Sequence, residues 1–320
     1  MPTPLPPPRR RGWKRWLAAL LGGAGASAQV AAAAPAAAPP APAPSPAAPA
    51  AAARPVDPAL AHADVLLYKT VGAQRLRLQV ARPAAARFPG PRPCVVFFHG
   101  GAWRNGDPKQ FMAYARALAE HGVIGISAQY RLMSESEVLP VPAVQDARSA
   151  LRFVKSRAAQ IGCDPQRIAA GGGSSGGHLA LMTAVPVPRN SPVGPLDDPS
   201  DDLGVSPRPQ ALFVMNAPLN LERYDRPVPV EQRRAMSPTL LMDASLPPTW
   251  IFHGTADKVV PFAQAGEFRD RARQLGAGEV TVQAFPGRGH GFFNAKRREG
   301  EDFDTTLAGM LAGLKKLGWL

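Results

Sequence analysis

Short β-type segments and helical segments alternate along the chain from about residue 62 onward. Several β-type segments are nearly unbroken apolar runs, such as PCVVFF at residues 93–98 and ALFVMNAP at residues 211–218. Such runs are typical of strands that are buried on both faces, because helices cover each side of a parallel sheet. The alternation therefore predicts an α/β fold with a mostly parallel central sheet flanked by helices.

The predicted elements begin with a strand pair at residues 64–69 and 74–81. Further strands are predicted at residues 93–98, 123–128, 167–170, 211–218, 249–254 and 279–285, and helices at residues 110–122, 144–161, 175–184 and 263–275, with a last helix ending near residue 317. Residues 186–209 are rich in Pro and Asp and lack periodicity, which predicts a surface loop. About thirty residues after the strand at 211–218 could form a short lid over a site.

The first 58 residues have a different composition from the rest and contain no acidic residue before Asp57. Basic residues precede an apolar stretch near residues 17–21, and Ala26-Ser27-Ala28 provides a cleavage site for a signal peptidase. The apolar stretch is too short for a transmembrane segment. We expect a signal peptide at 1–28, an Ala/Pro-rich linker at 29–60 and one folded domain at 61–320. The protein is then exported to the periplasm or the extracellular space; a basic tail on a cytoplasmic protein is the alternative.

The chain has a formal net charge of +13, which raises the question of nucleic-acid binding. Its cations are scattered, for example at Arg223, Arg226 and residues 296–298, and aromatic residues do not alternate with them. We therefore expect no specific nucleic-acid partner, only a basic surface that attracts anionic polymers nonspecifically. No feature of the sequence indicates an oligomeric state.

Cys94 and Cys163 are the two cysteines of the chain, too few for a disulfide framework. Cys94 opens a predicted core strand and Cys163 precedes another. The prediction is two free buried thiols, although export would permit a disulfide bridge between them.

The stretch RIAAGGGSSGGHLA, residues 167–180, joins a predicted strand to a predicted helix. Two overlapping G-x-S-x-G patterns occur there, one centred on Ser174 and one on Ser175. A strand that turns sharply into a helix at such a pattern resembles the nucleophile elbow of α/β hydrolases. If the strand ends near Ala170, Ser174 falls at the turn and Ser175 begins the helix. We therefore predict Ser174 as nucleophile, with the backbone N–H of Ser175 donating to an oxyanion.

A serine hydroxyl needs a base, and in this fold the base is a histidine that follows both the serine and an acid in the chain. His290, in the loop GRGHGFF after the last predicted strand, has that order and neighbouring glycines. The remaining histidines precede the serine, precede the acid or lie along the helix after the serine: His62, His99, His121, His178 and His253. His290 is therefore the predicted base, and its neighbour Arg288 is interpreted as a surface residue.

The predicted acid is Asp257, in the segment FHGTADKVVP. It directly follows a buried strand, at the carboxyl edge of the sheet where ligands bind in open α/β folds. Asp243 lies in the lid-like segment and lacks this placement. A solvated turn aspartate is the alternative interpretation of Asp257.

The segment HGGAW, residues 99–103, follows the third predicted strand. Glycines in this position leave room for a substrate carbonyl to reach backbone N–H groups. We predict that the amides of Gly100 and Gly101 complete the oxyanion hole together with Ser175. A simple glycine turn is the alternative.

Several motifs together resemble the esterase/lipase branch of the α/β-hydrolase superfamily, which includes hormone-sensitive-lipase-like enzymes and bacterial acetyl esterases. They are HGGAW, QYRL, QDARSALRFVKSRAAQIGCDPQRI, GGSSGGHLA, PPTWIFHGTADKVVPF and GRGHGFFN, in order between residues 64 and 320. Members typically read GxSAGG, so Ser175 replaces an alanine here, and Ala102 departs from HGGG toward HGGxW. The resemblance implies structural roles for Asp146 and His178.

The resemblance also implies an activity: hydrolysis of carboxylic esters through an acyl-enzyme, without a cofactor or metal. Short acyl groups are expected because the lid-like segment is not a long apolar one, and the substrate is expected to be a small-molecule or polysaccharide ester. An amidase or peptidase on the same fold is one alternative, although peptidases of this fold commonly carry a large extra domain. A noncatalytic binding protein is the other.

Overall fold

The structure is a computed structural model that describes residues 63–320, except 189, 225, 226, 296, 298 and 299. The predicted signal peptide at 1–28 and linker at 29–60 lie outside the described residues, as does His62. So do Arg226 and parts of the basic run at residues 296–298. The predicted domain boundaries and the predicted export are therefore still predictions.

The described residues form an eight-stranded sheet with strand order β1-β2-β4-β3-β5-β6-β7-β8. The strands are β1 Asp64–Val71, β2 Gln74–Ala81, β3 Arg92–Phe98, β4 Ile124–Ala128, β5 Cys163–Gly173, β6 Ala211–Met215, β7 Thr249–Gly254 and β8 Val280–Phe285. Strand β2 pairs antiparallel with β1 and β4, and every other pairing is parallel. The predicted α/β fold with a mostly parallel sheet is confirmed.

Helices flank the sheet on both sides. They are α1 Met112–Glu120, α2 Val141–Ser156, α3 Ala158–Ile161, α4 Ser175–Ala184, α5 Val230–Arg234, α6 Pro238–Leu241, α7 Ala263–Gln274 and α8 Glu301–Lys316. Short 3-10 helices lie at Pro108–Phe111 and Leu221–Arg223. None of the helices in the described part of the chain has the length and apolar character needed to span a bilayer.

Alternate side chains of β3 pack into two different cores. Cys94, Val96 and Phe98 belong to the cluster that also holds the inner faces of α2, α4 and α7. Val95 and Phe97 belong to the cluster beneath α1 and α8. All five side chains are buried. The apolar run in the sequence is therefore unbroken because β3 is covered on both faces.

Several predicted elements have different limits in the structure, and two of them differ most. The strand predicted at 167–170 extends over Cys163–Gly173, because Gly171 and Gly172 continue the pairing with β3 and β6. The helix predicted at 144–161 is wrong in both limits. It begins at Val141, since a proline is tolerated in the first turn, and it stops at Ser156 before the separate short helix α3.

The predicted surface loop at 186–209 has no helix or strand among its described residues. Three of its aspartates, Asp197, Asp198 and Asp201, contact buried cations. Asp197 Oδ1 lies 2.7 Å from Arg148 Nε on α2. Asp198 Oδ2 lies 2.7 Å from Lys69 Nζ on β1. The loop is therefore fixed to the core by ion pairs, which composition alone did not indicate.

Cys94 and Cys163 are both buried and unbridged, in agreement with the prediction of free thiols. Burial raises the pKa of the Cys94 thiol, and a hydrogen bond with Cys163 raises it further. The Cys94 group is therefore a neutral thiol, and both buried cysteines pack as small apolar side chains.

Candidate active site

Ser174 occupies a sharp turn between β5, which ends at Gly173, and α4, which begins at Ser175. Its backbone has φ 53° and ψ −125°, a conformation that a residue with a side chain adopts only under strain. The Ser174 N–H donates to the carbonyl of Met215 on the neighbouring strand β6 at 2.8 Å. The turn therefore exposes the serine side chain at the carboxyl edge of the sheet, where it points outward.

A close contact between α4 and β3 supports this turn. A Cβ added to Gly176 would lie 2.0 Å from the carbonyl oxygen of Phe98. No side chain larger than hydrogen fits there, because the obstructing atom belongs to the backbone. The glycine after the two serines therefore sets the distance between the helix and the sheet.

The structure brings Ser174, His290 and Asp257 together, although they lie far apart in the chain. Ser174 Oγ is 2.8 Å from His290 Nε2, and His290 Nδ1 is 2.8 Å from Asp257 Oδ2. The carboxylate accepts the hydrogen bond from Nδ1, which leaves Nε2 to accept the serine hydroxyl. The Ser175 side chain is instead buried.

Asp257 is held by hydrogen bonds to both of its oxygens. The N–H groups of Val259 and Val260 donate to Oδ1 at 2.8 and 3.0 Å, and the Asn216 side-chain amide donates to Oδ2. Burial alone would raise the pKa of Asp257. The contacts with His253, His290 and the Val260 N–H outweigh burial and hold the pKa well below its usual range. The group is therefore an anion with its two oxygens aimed by the surrounding chain.

The sequence analysis did not single out Asn216. It follows β6 directly and has φ 45°, in the left-handed region. Its side-chain donation to Asp257 arises because β6 and β7 are neighbours in the sheet. Its position at the carboxyl end of a buried strand was the available signal.

Two of the predicted oxyanion-hole residues, Gly100 and Gly101, lie in the loop after β3, beside the elbow. Gly101 has φ 124°, and a Cβ there would lie 2.0 Å from the carbonyl oxygen of Asn105. Gly100 N–H already donates to the side chain of Gln110, with Gly100 N 2.7 Å from Gln110 Oε1. The N–H groups of Gly101 and Ser175 make no hydrogen bond with any other described residue. Of the three predicted donors, Gly100 is therefore the one with its N–H in use.

His99, which precedes these glycines, is buried and helps to hold the loop. Its Nδ1 lies 2.9 Å from the Gly100 carbonyl oxygen, and the Tyr130 hydroxyl donates to the His99 carbonyl at 2.8 Å. Burial lowers the pKa of His99, although the contact with Gly100 and the charge of Asp107 act in the opposite direction. His99 is therefore a neutral ring that braces the loop.

Other residues considered in the sequence have contacts away from the serine. His178 Nε2 lies 2.8 Å from the Met236 carbonyl oxygen, and Asp146 is buried between Lys69 and Arg131. Arg288 forms an ion pair with Asp302 at 2.8 Å and is partly buried rather than a free surface residue.

Comparison with known proteins identifies the family of this chain. The Prolyl oligopeptidase family model matches residues 142–315, and the BD-FAE model matches residues 78–202. The solved structure of Thermogutta terrifontis esterase 2 phosphorylated by paraoxon is 36% identical, with a TM-score of 0.73 over 82% of this chain and 96% of that one. The chain belongs to the esterase/lipase family of α/β hydrolases.

Curated proteins that match this chain include ester hydrolases. The probable carboxylic ester hydrolase LipM of Mycobacterium tuberculosis is 31% identical over 219 residues, which are 63% of this chain and 50% of LipM. Carboxylesterase NlhH of the same organism is 40% identical over 95 residues, 29% of this chain and 28% of NlhH. The chain thus spans about half the length of LipM. A butyrate-bound structure of the Thermogutta esterase is 35% identical over 82% of this chain and 96% of that one, with a TM-score of 0.73.

Proposed function

We propose that the protein is a serine carboxylic-ester hydrolase in which Ser174 is the nucleophile, His290 the general base and Asp257 the acid that orients it. The observation that carries this proposal is the continuous chain of contacts from Ser174 Oγ through the His290 ring to the Asp257 carboxylate, with 2.8 Å at each junction. Such a chain activates a hydroxyl that is a weak nucleophile by itself. The names of the matched relatives support ester bonds as the substrate class.

The reaction proceeds through an acyl-enzyme. Ser174 Oγ attacks the ester carbonyl carbon while His290 Nε2 takes its proton, and the same proton then passes to the departing alcohol. Asp257 keeps the second imidazole proton on Nδ1 and stabilises the imidazolium as it forms. Water repeats the cycle, with His290 as its base, and releases the carboxylic acid and the free serine.

The tetrahedral intermediates carry a negative oxygen that requires donors. We assign the N–H groups of Gly101 and Ser175 to this role, because neither is engaged by another described residue. Each donor in such a site lowers the barrier by about 3 kcal/mol in known systems. Gly100 lies beside them but gives its N–H to Gln110.

The proposed substrates are esters with short, acetyl-type acyl groups, carried by a small molecule or an acetylated polysaccharide. In the segment between β6 and β7, the described residues form a 3-10 helix and the short helices α5 and α6, and none of these is a long apolar element that could cover an extended acyl chain. Structures of the Thermogutta esterase with bound propionate and with bound butyrate support the same acyl size. Export is part of the proposal: the amino terminus of the protein from its source cells should begin near Gln29.

Peptide or amide hydrolysis is the second candidate, since the Prolyl oligopeptidase family model matches residues 142–315. The same three side chains serve either reaction. The kinetic preference between an ester and a matched amide separates the two candidates.

The test compares p-nitrophenyl acetate, butyrate and decanoate with acetylated xylan and a peptide p-nitroanilide, using the full chain and Ser174→Ala. We expect kcat/KM to be highest for acetate or butyrate and activity to be lost in Ser174→Ala. Faster turnover of decanoate would contradict the short acyl preference, and a higher kcat/KM for the anilide would favour the second candidate. Activity that survives in Ser174→Ala would contradict the assigned nucleophile.

A further inference from the structure

Two side-chain amides connect the glycine loop to the histidine loop. Gly100 N–H donates to Gln110 Oε1 at 2.7 Å, and Gln110 Nε2 donates to Asn294 Oδ1 at 2.8 Å. Asn294 Nδ2 then donates to the carbonyl of Gly291 at 2.8 Å. Gly291 directly follows His290, so this chain of bonds spans the two loops whose residues must act on one substrate carbon.

The backbone groups at the two ends of this series of hydrogen bonds fix its direction. Gly100 offers an N–H and requires an acceptor, while Gly291 offers a carbonyl and requires a donor. A side-chain amide has one acceptor end and one donor end, so rotating both amides by 180° would place N–H against N–H and oxygen against oxygen. The backbone groups therefore allow one orientation of Gln110 and Asn294.

The residues that follow Gln110 and precede Asn294 in the chain are aromatic and pack against each other. Phe111 and Phe293, the neighbours of Gln110 and Asn294, stack with ring centroids 5.9 Å apart and an interplanar angle of 17°. The Tyr114 hydroxyl donates to the Phe293 carbonyl at 2.8 Å. Both rings are buried. The amide pair therefore rests on a rigid base, which limits how far either loop moves relative to the other.

We propose that Gln110 and Asn294 are positioning residues that hold the Gly100–Gly101 peptide in register with His290. This inference rests on the proposed function. By accepting the Gly100 N–H, Gln110 fixes the His99–Gly100 peptide unit. It thereby positions the start of the next unit, whose N–H, that of Gly101, points to the oxyanion. Gly100 then contributes geometry, while Gly101 and Ser175 supply the hydrogen bonds to the developing charge.

A different role for Gln110 predicts the opposite effect. If its oxygen merely occupied an N–H that the substrate oxygen needs, the two would compete, and removing Gln110 would raise kcat/KM. A positioning role predicts a lower kcat with little change in KM, because the bond to Gly100 matters most when charge develops on the substrate oxygen.

The experiment measures kcat and KM for p-nitrophenyl acetate in Gln110→Ala, Gln110→Met, Asn294→Ala and the double variant Gln110→Ala/Asn294→Ala. Gln110→Met retains the volume and removes the hydrogen bonds, so it covers the case in which Gln110→Ala does not fold. The matched control is Gln210→Ala: Gln210 Oε1 also accepts a backbone N–H, that of Ile168 at 3.1 Å, but Ile168 lies in the middle of β5, six residues before Ser174. Thermal unfolding is measured for every variant.

We expect each single variant to lose about tenfold to a hundredfold in kcat with KM little changed, as for a small displacement of reacting groups. The double variant should lose no more than the worse single variant, because the residues act as one chain. Gln210→Ala should retain its kcat. Unchanged or raised kcat/KM in the Gln110 variants, a loss confined to KM, or additive losses would overturn the inference.

A second readout separates failure of this inference from failure of the proposed function. Phosphorylation of Ser174 by paraoxon needs the same donors but no ester turnover, and the positioning role predicts slower labelling in Gln110→Met and Asn294→Ala than in Gln210→Ala. If the wild-type protein neither turns over esters nor is labelled, the proposed function is wrong. If the wild type does both and the variants match it, only the positioning role is wrong.

Discussion

Ser174 Oγ lies 2.8 Å from His290 Nε2, although 116 residues separate the two in the chain. The neighbouring Ser175, which fits the same sequence pattern, has its hydroxyl buried. The difference arises at one backbone turn, where the strand ends at Gly173 and the helix begins at Ser175. The register of that turn determines which hydroxyl faces the imidazole.

The first prediction compares the two serines. Ser174→Ala should lower kcat on p-nitrophenyl acetate by at least about a thousandfold, because the nucleophile is removed. Ser175→Ala keeps its backbone N–H and should retain nearly full activity. The measurement is steady-state kinetics on both variants. The reverse pattern, with Ser175 essential, would show that the turn has a different register in the active protein.

The second prediction concerns Asp257. Asp257→Asn should lower kcat by up to about ten-thousandfold, because an amide no longer keeps the proton on His290 Nδ1. Asp164→Asn is the control, since Asp164 is paired with Arg167 near the opposite end of β5 from Ser174. Kinetics on both variants check the prediction; similar kcat values in the two would show that the carboxylate does not orient the base.

The third prediction concerns the contact of α4 with β3. Gly176→Ala would force a Cβ to within 2.0 Å of the Phe98 carbonyl oxygen and should cost about 1–3 kcal/mol of unfolding free energy. It should also lower kcat, since Ser174 moves with the helix. Gly266→Ala in α7 is the control: its added Cβ has no atom within 4 Å, so it should stabilise the protein by about 0.5–1 kcal/mol. Denaturant unfolding of both variants measures the difference, and equal stability in the two would contradict the packing argument.

The fourth prediction concerns the loop at residues 186–209 and its dependence on pH. Burial alone would raise the pKa of Asp198, but hydrogen bonds from Lys69 and Ser200 outweigh it and hold the pKa well below its usual range. A carboxylate with a depressed pKa stabilises the fold above its unfolded pKa of about 3.9, and this contribution disappears as pH falls toward the folded value. Asp198→Asn should therefore cost about 2 kcal/mol at neutral pH.

The check is the unfolding free energy of wild type and Asp198→Asn from pH 7 down to pH 2. The gap between them should stay constant to about pH 5 and shrink below about pH 4. A gap that is independent of pH would mean that the aspartate stabilises the loop by packing rather than by its charge.

The amino-acid pattern predicted which strands and helices occur better than it predicted their limits. Unbroken apolar runs such as residues 93–98 identified buried strands, and the glycines around Ser174 indicated a strand-to-helix turn. The glycines also concealed the end of β5, since glycine is a poor strand former. Gly171 and Gly172 nevertheless pair with β3, at positions where a Cβ would collide with backbone atoms. Packing decided their conformation, and propensity did not reveal it.

Contacts between distant segments were beyond the reach of the sequence. Asn216, Gln110 and Asn294 have no pattern of their own. The Asn216–Asp257 and Gln110–Asn294 contacts form only when segments far apart in the chain become neighbours. The hydrogen bond from the Gly100 N–H to Gln110 spans only ten residues, but the loop and 3-10 helix between them have no periodic pattern that predicts it. The aspartates of the 186–209 loop likewise meet their cations only after α2 and β1 are in place.

The central claim is that Ser174 is the group that attacks. Treating the full chain with paraoxon transfers a diethyl phosphoryl group to the attacking oxygen and releases p-nitrophenolate, and peptide fragmentation by mass spectrometry locates the adduct. We predict the adduct on Ser174 in wild type and in Ser175→Ala, and none at this peptide in Ser174→Ala. An adduct on Ser175, or an unmodified Ser174 in a folded protein after exposure, would contradict the account.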